Sequence, residues 1–140
     1  MSRPPLARPP AGPRGRVGAA AEDAAAAHLA RSGWVLLARN LRLDRDEVDI
    51  LAQEGGAAGV LVVVEVRSVS GRSFGSPLES VDRRKVSRLY RATMTLRREG
   101  HPTLSPSLLC CRAWRVDLLA MRRGPDGWTV EHHLRGLAPP

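Results

Sequence analysis

The sequence predicts an α/β protein in which helices flank one mixed central sheet. An alanine-rich helical segment comes first, three strand-like segments follow, and a second helical segment precedes further strands. This order, helix, three strands, helix, strands, is typical of a layered domain built on a single sheet. At 140 residues the chain is long enough for one domain with a real core. We therefore predict a flexible arm at residues 1–14 and a single domain at residues 15–140.

The first helix is predicted for residues 15–32, where alanine is frequent and Gly33 provides a C-terminal cap. Gly55 and Gly56 mark a turn between the second and third strands. The third strand is apolar on both faces, which is typical of a central strand covered on each side. The three strands are predicted at residues 34–38, 47–52 and 59–67.

A second helix is predicted from a cap at Ser80 to about Glu99, where Gly100 and Pro102 end it. A loop at residues 68–77 precedes it. Strands at 108–121 and 128–134 follow, separated by the turn signal Pro125-Asp126-Gly127. Cys110 and Cys111 are adjacent, which suits neither a disulfide nor a zinc site, and we interpret them as reduced strand residues.

The charge of the chain is unusual. The formal net charge is +8 and the pI is near 11.2, which favours a polyanion or an anionic surface as partner, and the clustering of the arginines favours nucleic acid. Genomic bias towards arginine is the alternative explanation. Aromatic residues are only 4%, so base stacking is not expected to dominate binding. No apolar run approaches the ~20 residues of a membrane span, and no signal-peptide pattern is present, so we expect a cytoplasmic protein.

Arginines recur on one side of the second predicted helix. Such a stripe without acidic partners repels itself unless an anion binds it, although a solvated helix face is the common alternative. The basic arm at residues 1–14 could add contacts to phosphates or be a plain leader. The predicted nucleic-acid-binding residues are Arg84, Arg88, Arg91 and Arg98 on the helix and Arg72 in the loop before it.

Two acids stand at the ends of neighbouring predicted strands. Asp49 lies opposite Glu65 if the second and third strands pair as a hairpin, and Arg67 shares the face of Glu65. Converging carboxylates are usually compensated by a divalent metal such as Mg²⁺ or Mn²⁺. A structural ion pair of Asp49 with Arg67 or Lys85 is the alternative. We interpret Glu47 as facing away from Asp49, and we expect Asp117 to pair locally.

Several motifs together resemble the YraN family of uncharacterised bacterial proteins, which is similar to the PD-(D/E)xK nuclease superfamily and to Holliday-junction resolvases. The resemblance implies a restriction-endonuclease-like core and Mg²⁺-dependent cleavage of DNA. It further implies that Asp49 and Glu65 are metal ligands, and that Glu22, Arg67 and Lys85 complete the catalytic site. The motifs are Gly18-Ala19-Ala20-Ala21-Glu22, Arg39-Asn40, Glu47-Val48-Asp49, Val64-Glu65-Val66-Arg67, Phe74-Gly75, Lys85 and Arg115-Val116-Asp117.

The sequence departs from the family pattern at two positions. Asp46 stands where the family usually has glycine, which changes the turn but not the ligands. Arg67 replaces the lysine of the superfamily, and a guanidinium that stays protonated cannot act as a general base. It can still hold a phosphate or orient a water molecule.

The leading hypothesis is thus a metal-dependent endonuclease acting on DNA, including branched or irregular structures. A catalytically inactive nucleic-acid-binding protein with the same fold is the alternative, and a basic partner of an acidic protein is a third. A resolvase would also need a symmetric homodimer to cut two strands.

Overall fold

The fold was analysed in a computed structural model that describes residues 13–69, 82–110 and 112–140, with backbone alone for residues 13–17. The elements alternate as predicted, and the α/β class with helices flanking one mixed sheet is confirmed. None of the described helices is long and apolar enough to cross a membrane. The elements are α1 (Pro13–Arg31), β1 (Val35–Leu43), β2 (Asp46–Glu54), β3 (Val60–Val69), α2 (Arg83–Glu99), α3 (Pro106–Leu109), β4 (Trp114–Gly124) and β5 (Gly127–Leu134).

The five strands form one sheet in the order β1-β2-β3-β4-β5. All neighbouring strands are antiparallel except β3 and β4, which run parallel. A parallel pair needs a crossover connection, and α2 lies in the segment between these two strands. The third strand is therefore central, as its apolar composition predicts.

Each face of the sheet buries its own apolar cluster. On one face, α1 packs Ala21, Ala25 and Leu29 against strand residues that include Val62 and Val64. On the other face, α2 contributes Leu89, Ala92 and Leu96 to a cluster with the alternate residues of the same strands, Leu51, Leu61, Val63 and Leu118. Because side chains alternate along a strand, the unbroken run of valine and leucine in β3 serves both faces.

The first strand is longer than the sequence indicates. It extends to Leu43, past a register shift between Leu36 and Ala38 and past Asn40, whose φ of 51° lies in the left-handed region. These irregularities interrupt the period-2 alternation of apolar and polar residues, so the sequence pattern does not reveal the full length of the strand. The first helix begins at Pro13, two residues before the predicted start, and the rest of the predicted arm, residues 1–12, lies outside the described residues.

The strand predicted for residues 108–121 is wrong at its beginning. Ser105 and Pro106 start a short helix instead, since proline is favoured at the first helical position, and the strand begins only at Trp114. Cys110 therefore ends α3 as an exposed residue rather than lying in a strand, and Cys111 is outside the described residues.

The predicted helix cap is also displaced. Ser80 lies outside the described residues, and the N-cap of α2 is Asp82, whose carboxylate accepts a hydrogen bond from the Arg84 backbone N–H at 3.0 Å. The loop predicted from Ser68 begins later, because β3 continues to Val69. The helix ends at Glu99 before Gly100, as predicted.

Candidate functional site

The second and third strands separate where the two predicted acids lie. Their paired residues run from Glu54 opposite Val60 to Ile50 opposite Val64. At the next position, Asp49 Oδ2 accepts the Val66 backbone N–H at 2.8 Å, in place of a bond between the two backbones. Beyond this point β2 pairs only with β1 and β3 only with β4. Asp49 and Glu65 thus sit side by side in a notch of the sheet.

Both carboxyl groups of this acid pair are electrostatically unfavourable when ionised. Burial raises the pKa of Glu65, the charge of Asp49 raises it further, and the Lys85 ammonium only partly offsets them, leaving the pKa at about 7. The pKa of Asp49 is also raised, by burial above all, against the opposing hydrogen bond from Val66. Two buried acids of this kind favour either a shared proton or a cation between them.

Two basic side chains flank the acid pair. Lys85, in the first turn of α2, places Nζ 2.8 Å from Glu65 Oε1. Arg67 lies two residues beyond Glu65 on the same face of β3 and lines a cavity of about 400 Å³ together with Lys85. The structural ion pair considered for Asp49 therefore forms at Glu65 instead, with Lys85 as its partner.

Glu22 reaches the same place from the other side of the sheet. It is a buried α1 residue, 9% exposed, rather than the solvated helix residue that its position alone would predict. It lines a cavity of about 380 Å³, which we call the acid cavity. The acid cavity is lined by Glu22, Arg45, Asp46, Glu47, Asp49, Glu65, Lys85, Arg88 and Leu89.

Glu47 also lines the acid cavity, so the interpretation that it faces away from Asp49 is wrong. Residues two apart on a strand point to the same face. Glu47 is exposed, and it adds negative charge at the mouth of the cavity.

The donors present suit a hard cation. Within the described residues, no three His, Cys, Asp or Glu side chains come together as a complete ligand set. Mg²⁺ is commonly held by one or two carboxylates, with water and substrate phosphate filling the other positions. Asp49 and Glu65 fit Mg²⁺ or Mn²⁺ in this way.

The predicted arginine stripe is divided by the structure. Arg84 and Arg88 are exposed near the start of α2, and Arg88 lines the acid cavity. Arg98 is exposed near its end, 4.0 Å from Glu99. Arg72 lies outside the described residues. These positions leave their predicted role in nucleic-acid binding open to test.

Arg91 differs from the other arginines of the stripe, and the premise that it has no acidic partner is wrong. Its Nε and Nη2 each donate to a carboxylate oxygen of buried Asp46 at 2.7 Å. The hydrogen bond from Arg91 lowers the pKa of Asp46 despite its burial. Asp46, the departure from the family glycine, thus ties the start of β2 to α2.

Arg45 is a site residue that the sequence analysis missed. It lies in the two-residue turn between β1 and β2, beside Asp44, whose φ is 56°, and it lines the acid cavity. Its place in a tight turn just before the strand of Asp49 was the available signal. Without the docking of that turn on α2, however, the direction of its side chain could not be inferred.

Asp117 belongs to a separate polar cluster and pairs locally, as predicted. Its carboxylate, fully buried, accepts hydrogen bonds from Arg115 at 2.7 and 2.9 Å and from the Gly136 backbone at 3.0 Å, and lies 2.8 Å from His133 Nε2. Burial alone would raise the pKa of Asp117, but the bonds from His133, Arg115 and Gly136 lower it to about 2. Such a saturated carboxylate is structural.

Comparison with known proteins places the chain in a family. The sequence profile described as "Uncharacterised protein family UPF0102" matches residues 21–121, a range that contains Glu22 and the whole notch between β2 and β3. The chain belongs to this family. The resemblance to uncharacterised bacterial proteins that the motifs carry is thereby confirmed.

Relatives in this family cover most of the chain. A UPF0102 protein of Symbiobacterium thermophilum is 43% identical over 113 residues, 80% of this chain and 86% of its own. One from Nocardioides is 37% identical over 122 residues, 86% of this chain and 90% of its own. Among solved structures, Pyrococcus furiosus SfsA in complex with Ca²⁺ matches with a TM-score of 0.38 and 12% identity, covering 89% of this chain and 65% of SfsA.

Proposed function

We propose that this UPF0102 protein is a metal-dependent phosphodiesterase that cleaves DNA at the acid cavity. The observation that carries the proposal is the adjacent pair of half-buried Asp49 and buried Glu65, where the pKa of Glu65 is raised to about 7. Strongly shifted acids that converge in a cleft are characteristic of functional sites. A divalent cation held by both carboxylates would relieve this shift, since it would compensate both charges at once.

Asp49 and Glu65 would hold Mg²⁺ or Mn²⁺ through their carboxylate oxygens. A bound divalent ion supplies an activated water molecule and stabilises charge on a transferring phosphoryl group. The Val66 N–H that donates to Asp49 Oδ2 fixes the orientation of this carboxylate. Glu22, buried at the edge of the same cavity, orients water near the acid pair.

The two neighbouring cations would act on the substrate phosphate. Arg67 cannot accept a proton, but a guanidinium binds phosphate oxygens with two donors at once. The Lys85 ammonium already lies at the acid pair and its side chain is 46% exposed, so it can donate to a phosphate oxygen or a leaving oxygen. Lys85, on α2, thus supplies an amine at the site, whereas Arg67 on β3 supplies a guanidinium.

DNA is the proposed polyanion because the chain carries +8 formal charges and exposed arginines border the site. Arg88 lines both cavities, and Arg84 is exposed one turn earlier on α2. Branched or irregular DNA is included, following the family resemblance. Paired cutting of a four-way junction would require two copies of the site related by symmetry, hence a homodimer on that substrate, which sedimentation of the protein–junction complex would reveal.

Cleavage of labelled single-stranded, duplex and four-way-junction DNA, with and without Mg²⁺ or Mn²⁺, tests the proposal. We expect metal-dependent products whose rate falls in Asp49→Asn and Glu65→Gln by more than the ~10–100-fold typical of residues that only support a metal ligand. Glu99→Gln, an exposed acid at the end of α2, is the matched control. Cleavage that persists in both site variants would exclude this cavity as the active site.

A nuclease-fold protein that binds nucleic acid without turnover is the second candidate. Two observations favour it: Arg67 occupies the lysine position, and Glu65 already has a cationic partner in Lys85, whose Nζ lies 2.8 Å from Glu65 Oε1. It predicts binding that weakens steeply with salt but does not depend on metal. Calorimetric titration with Mn²⁺ separates the two candidates, because only the phosphodiesterase should give heat that disappears in Asp49→Asn.

A further inference from the structure

The acid cavity adjoins a second cavity on the surface. The second one, which we call the Arg67 cavity, has a volume of about 400 Å³. Glu65, Lys85, Arg88 and Leu89 line both cavities. Glu65 therefore lies where the two cavities meet, and Asp49 lies beside it on the acid-cavity side. We call the two cavities together the channel.

Each half of this channel contributes a cation of its own. Arg45 lines only the acid cavity, and Arg67 lines only the Arg67 cavity, while Lys85 and Arg88 belong to the common wall. Within the part of the chain that the structure describes, no carboxylate lies within salt-bridge distance of Arg45. Each of the two cavities that meet at Glu65 thus has a guanidinium in its lining.

The turn that carries Arg45 is held in place. Asp46, the next residue, is bound by Arg91 through two hydrogen bonds of 2.7 Å. Leu43, on the other side of the turn, is 4% exposed and packs in the cluster that contains Leu89 and Ala92 of α2. Arg45 is consequently presented by a fixed turn rather than by a mobile loop, which lowers the entropic cost of using it as a ligand.

The lining of the channel suits a phosphate backbone rather than bases or a duplex. No aromatic residue is among the described residues that line either cavity, so bases have no stacking platform there. Cavities of this volume enclose ligands of about drug size, which corresponds to one or two nucleotide units of a single strand.

We infer that one DNA strand lies along both cavities, with the phosphates on either side of the cleaved bond held by Arg45 and by Arg67 respectively. The inference rests on the proposed function, because the acid pair defines the cleaved bond. It adds that the substrate is a single-stranded or locally unpaired segment. Recognition is independent of base sequence.

Salt dependence of binding tests the two arginines separately. Binding of a labelled thymidine oligonucleotide is measured by fluorescence anisotropy with Ca²⁺ over about 50–200 mM salt. Arg45→Gln and Arg67→Gln should each reduce the slope of log affinity against log salt by about 0.7, the value for one phosphate contact to a single strand. Arg97→Gln, an exposed α2 residue outside both cavities, should leave the slope unchanged.

Oligonucleotides with one neutral methylphosphonate linkage assign the subsites. A neutral linkage on one side of the cleaved bond should reduce the affinity of the wild type about as much as the Arg45→Gln substitution does. The same linkage should not reduce the affinity of the Arg45→Gln variant any further. A neutral linkage on the other side should match Arg67→Gln in the same manner. Melting curves check that both arginine variants remain folded. If one variant does not fold, the linkage series on the wild type still tests the strand path.

Three results would overturn the inference: unchanged salt slopes in both variants, the same linkage matching both arginines, or a fully paired duplex binding and being cut as well as a single strand. Failure of the proposed function is recognised differently. If Asp49→Asn binds Mn²⁺ as well as the wild type does, but Arg45→Gln and Arg67→Gln still reduce the salt slope, the catalytic assignment fails and the strand path stands. If cleavage depends on Asp49 and the slopes do not change, only the strand path fails.

Discussion

The pKa values of two buried carboxyl groups, those of Asp117 and Glu65, are shifted in opposite directions. Asp117 is fully buried and receives hydrogen bonds from three residues, which hold its pKa at about 2. Glu65 is 7% exposed and faces another acid, so its pKa rises to about 7. Both look alike in the sequence, as acids within apolar strands. The sequence predicted the position of each acid, but two of the three partners of Asp117, His133 and Gly136, are brought to it only by the fold.

Glu65→Gln should change how stability depends on pH in metal-free protein. The folded pKa of Glu65, about 7, lies above the ordinary value of 4.5. Its contribution to stability is therefore fully present below pH 4.5 and is lost as pH rises through 7. Over that window the wild type should lose about 3 kcal/mol of unfolding free energy that Glu65→Gln retains.

Urea unfolding at pH 5 and pH 8 in the presence of a chelator measures this difference. Glu99→Gln provides the control. Because Glu99 is exposed, this variant should show the same pH dependence of stability as the wild type. If the unfolding free energies of the wild type and Glu65→Gln changed equally between pH 5 and pH 8, ionisation of Glu65 would not destabilise the folded protein.

Asp117→Asn should destabilise the protein by about 3 kcal/mol at pH 7, because it leaves the Arg115 guanidinium without its buried counter-charge. The folded pKa of Asp117 is depressed to about 2 from 3.8. About 2 kcal/mol of this stability is thus present above pH 4 and lost as pH falls towards 2. Thermal unfolding at pH 7 and pH 3 checks both statements.

Asp126→Asn, in the exposed turn between β4 and β5, is the matched control for Asp117→Asn and should melt like the wild type. An equally stable Asp117→Asn protein would mean that the bonds of the Asp117 carboxylate to Arg115, His133 and Gly136 contribute no net stability.

At the scale of elements, the site depends on how the β1–β2 turn and the start of α2 are held together. The hairpin register predicted from the sequence places Asp49 opposite Glu65, and the structure confirms the neighbouring pairs of that register. The Asp46–Arg91 bonds could not be predicted, because they depend on the angle at which α2 packs on the sheet. Periodicity describes which side of a helix is polar, but not which strand end that side meets.

Asp82→Ala should cost about 1 kcal/mol of unfolding free energy, the usual value for loss of an N-cap side chain. The Asp82 carboxylate accepts the Arg84 N–H at 3.0 Å, and this bond begins the helix that positions Lys85. Chemical denaturation gives the difference directly. Asp82→Ser keeps a capping oxygen and should recover most of the loss; equal destabilisation by serine and alanine would contradict the capping role.

At the scale of the whole molecule, one sheet with helices on both faces brings together residues from α1, β2, β3 and α2 at one end. The element order and the basic character of the protein were readable from composition and periodicity. The family resemblance, rather than any spacing, supplied Glu22, since α1 and the acid pair meet only once α1 packs on the sheet. The short helix α3 was missed because Leu108 and Leu109 look equally like strand residues.

Divalent metal should stabilise the folded protein as a whole. A ligand that binds only the native state adds about 2.7 kcal/mol at a concentration 100 times its Kd. Mn²⁺ should therefore raise the melting temperature of the wild type and of Glu99→Gln, but not of Asp49→Asn. A rise of equal size in all three proteins would place the metal elsewhere.

The single parallel pairing in the sheet has a consequence for folding kinetics. The partners in β3 and β4 lie on opposite sides of α2 in the sequence, as Leu61 and Trp114 show, so their pairing must close a long loop. Hairpins from β1 to β3 close only short loops and can form within microseconds. A nascent chain leaving the ribosome therefore assembles both acids of the notch first, and the rate-limiting event is the later arrival of β4 beside them.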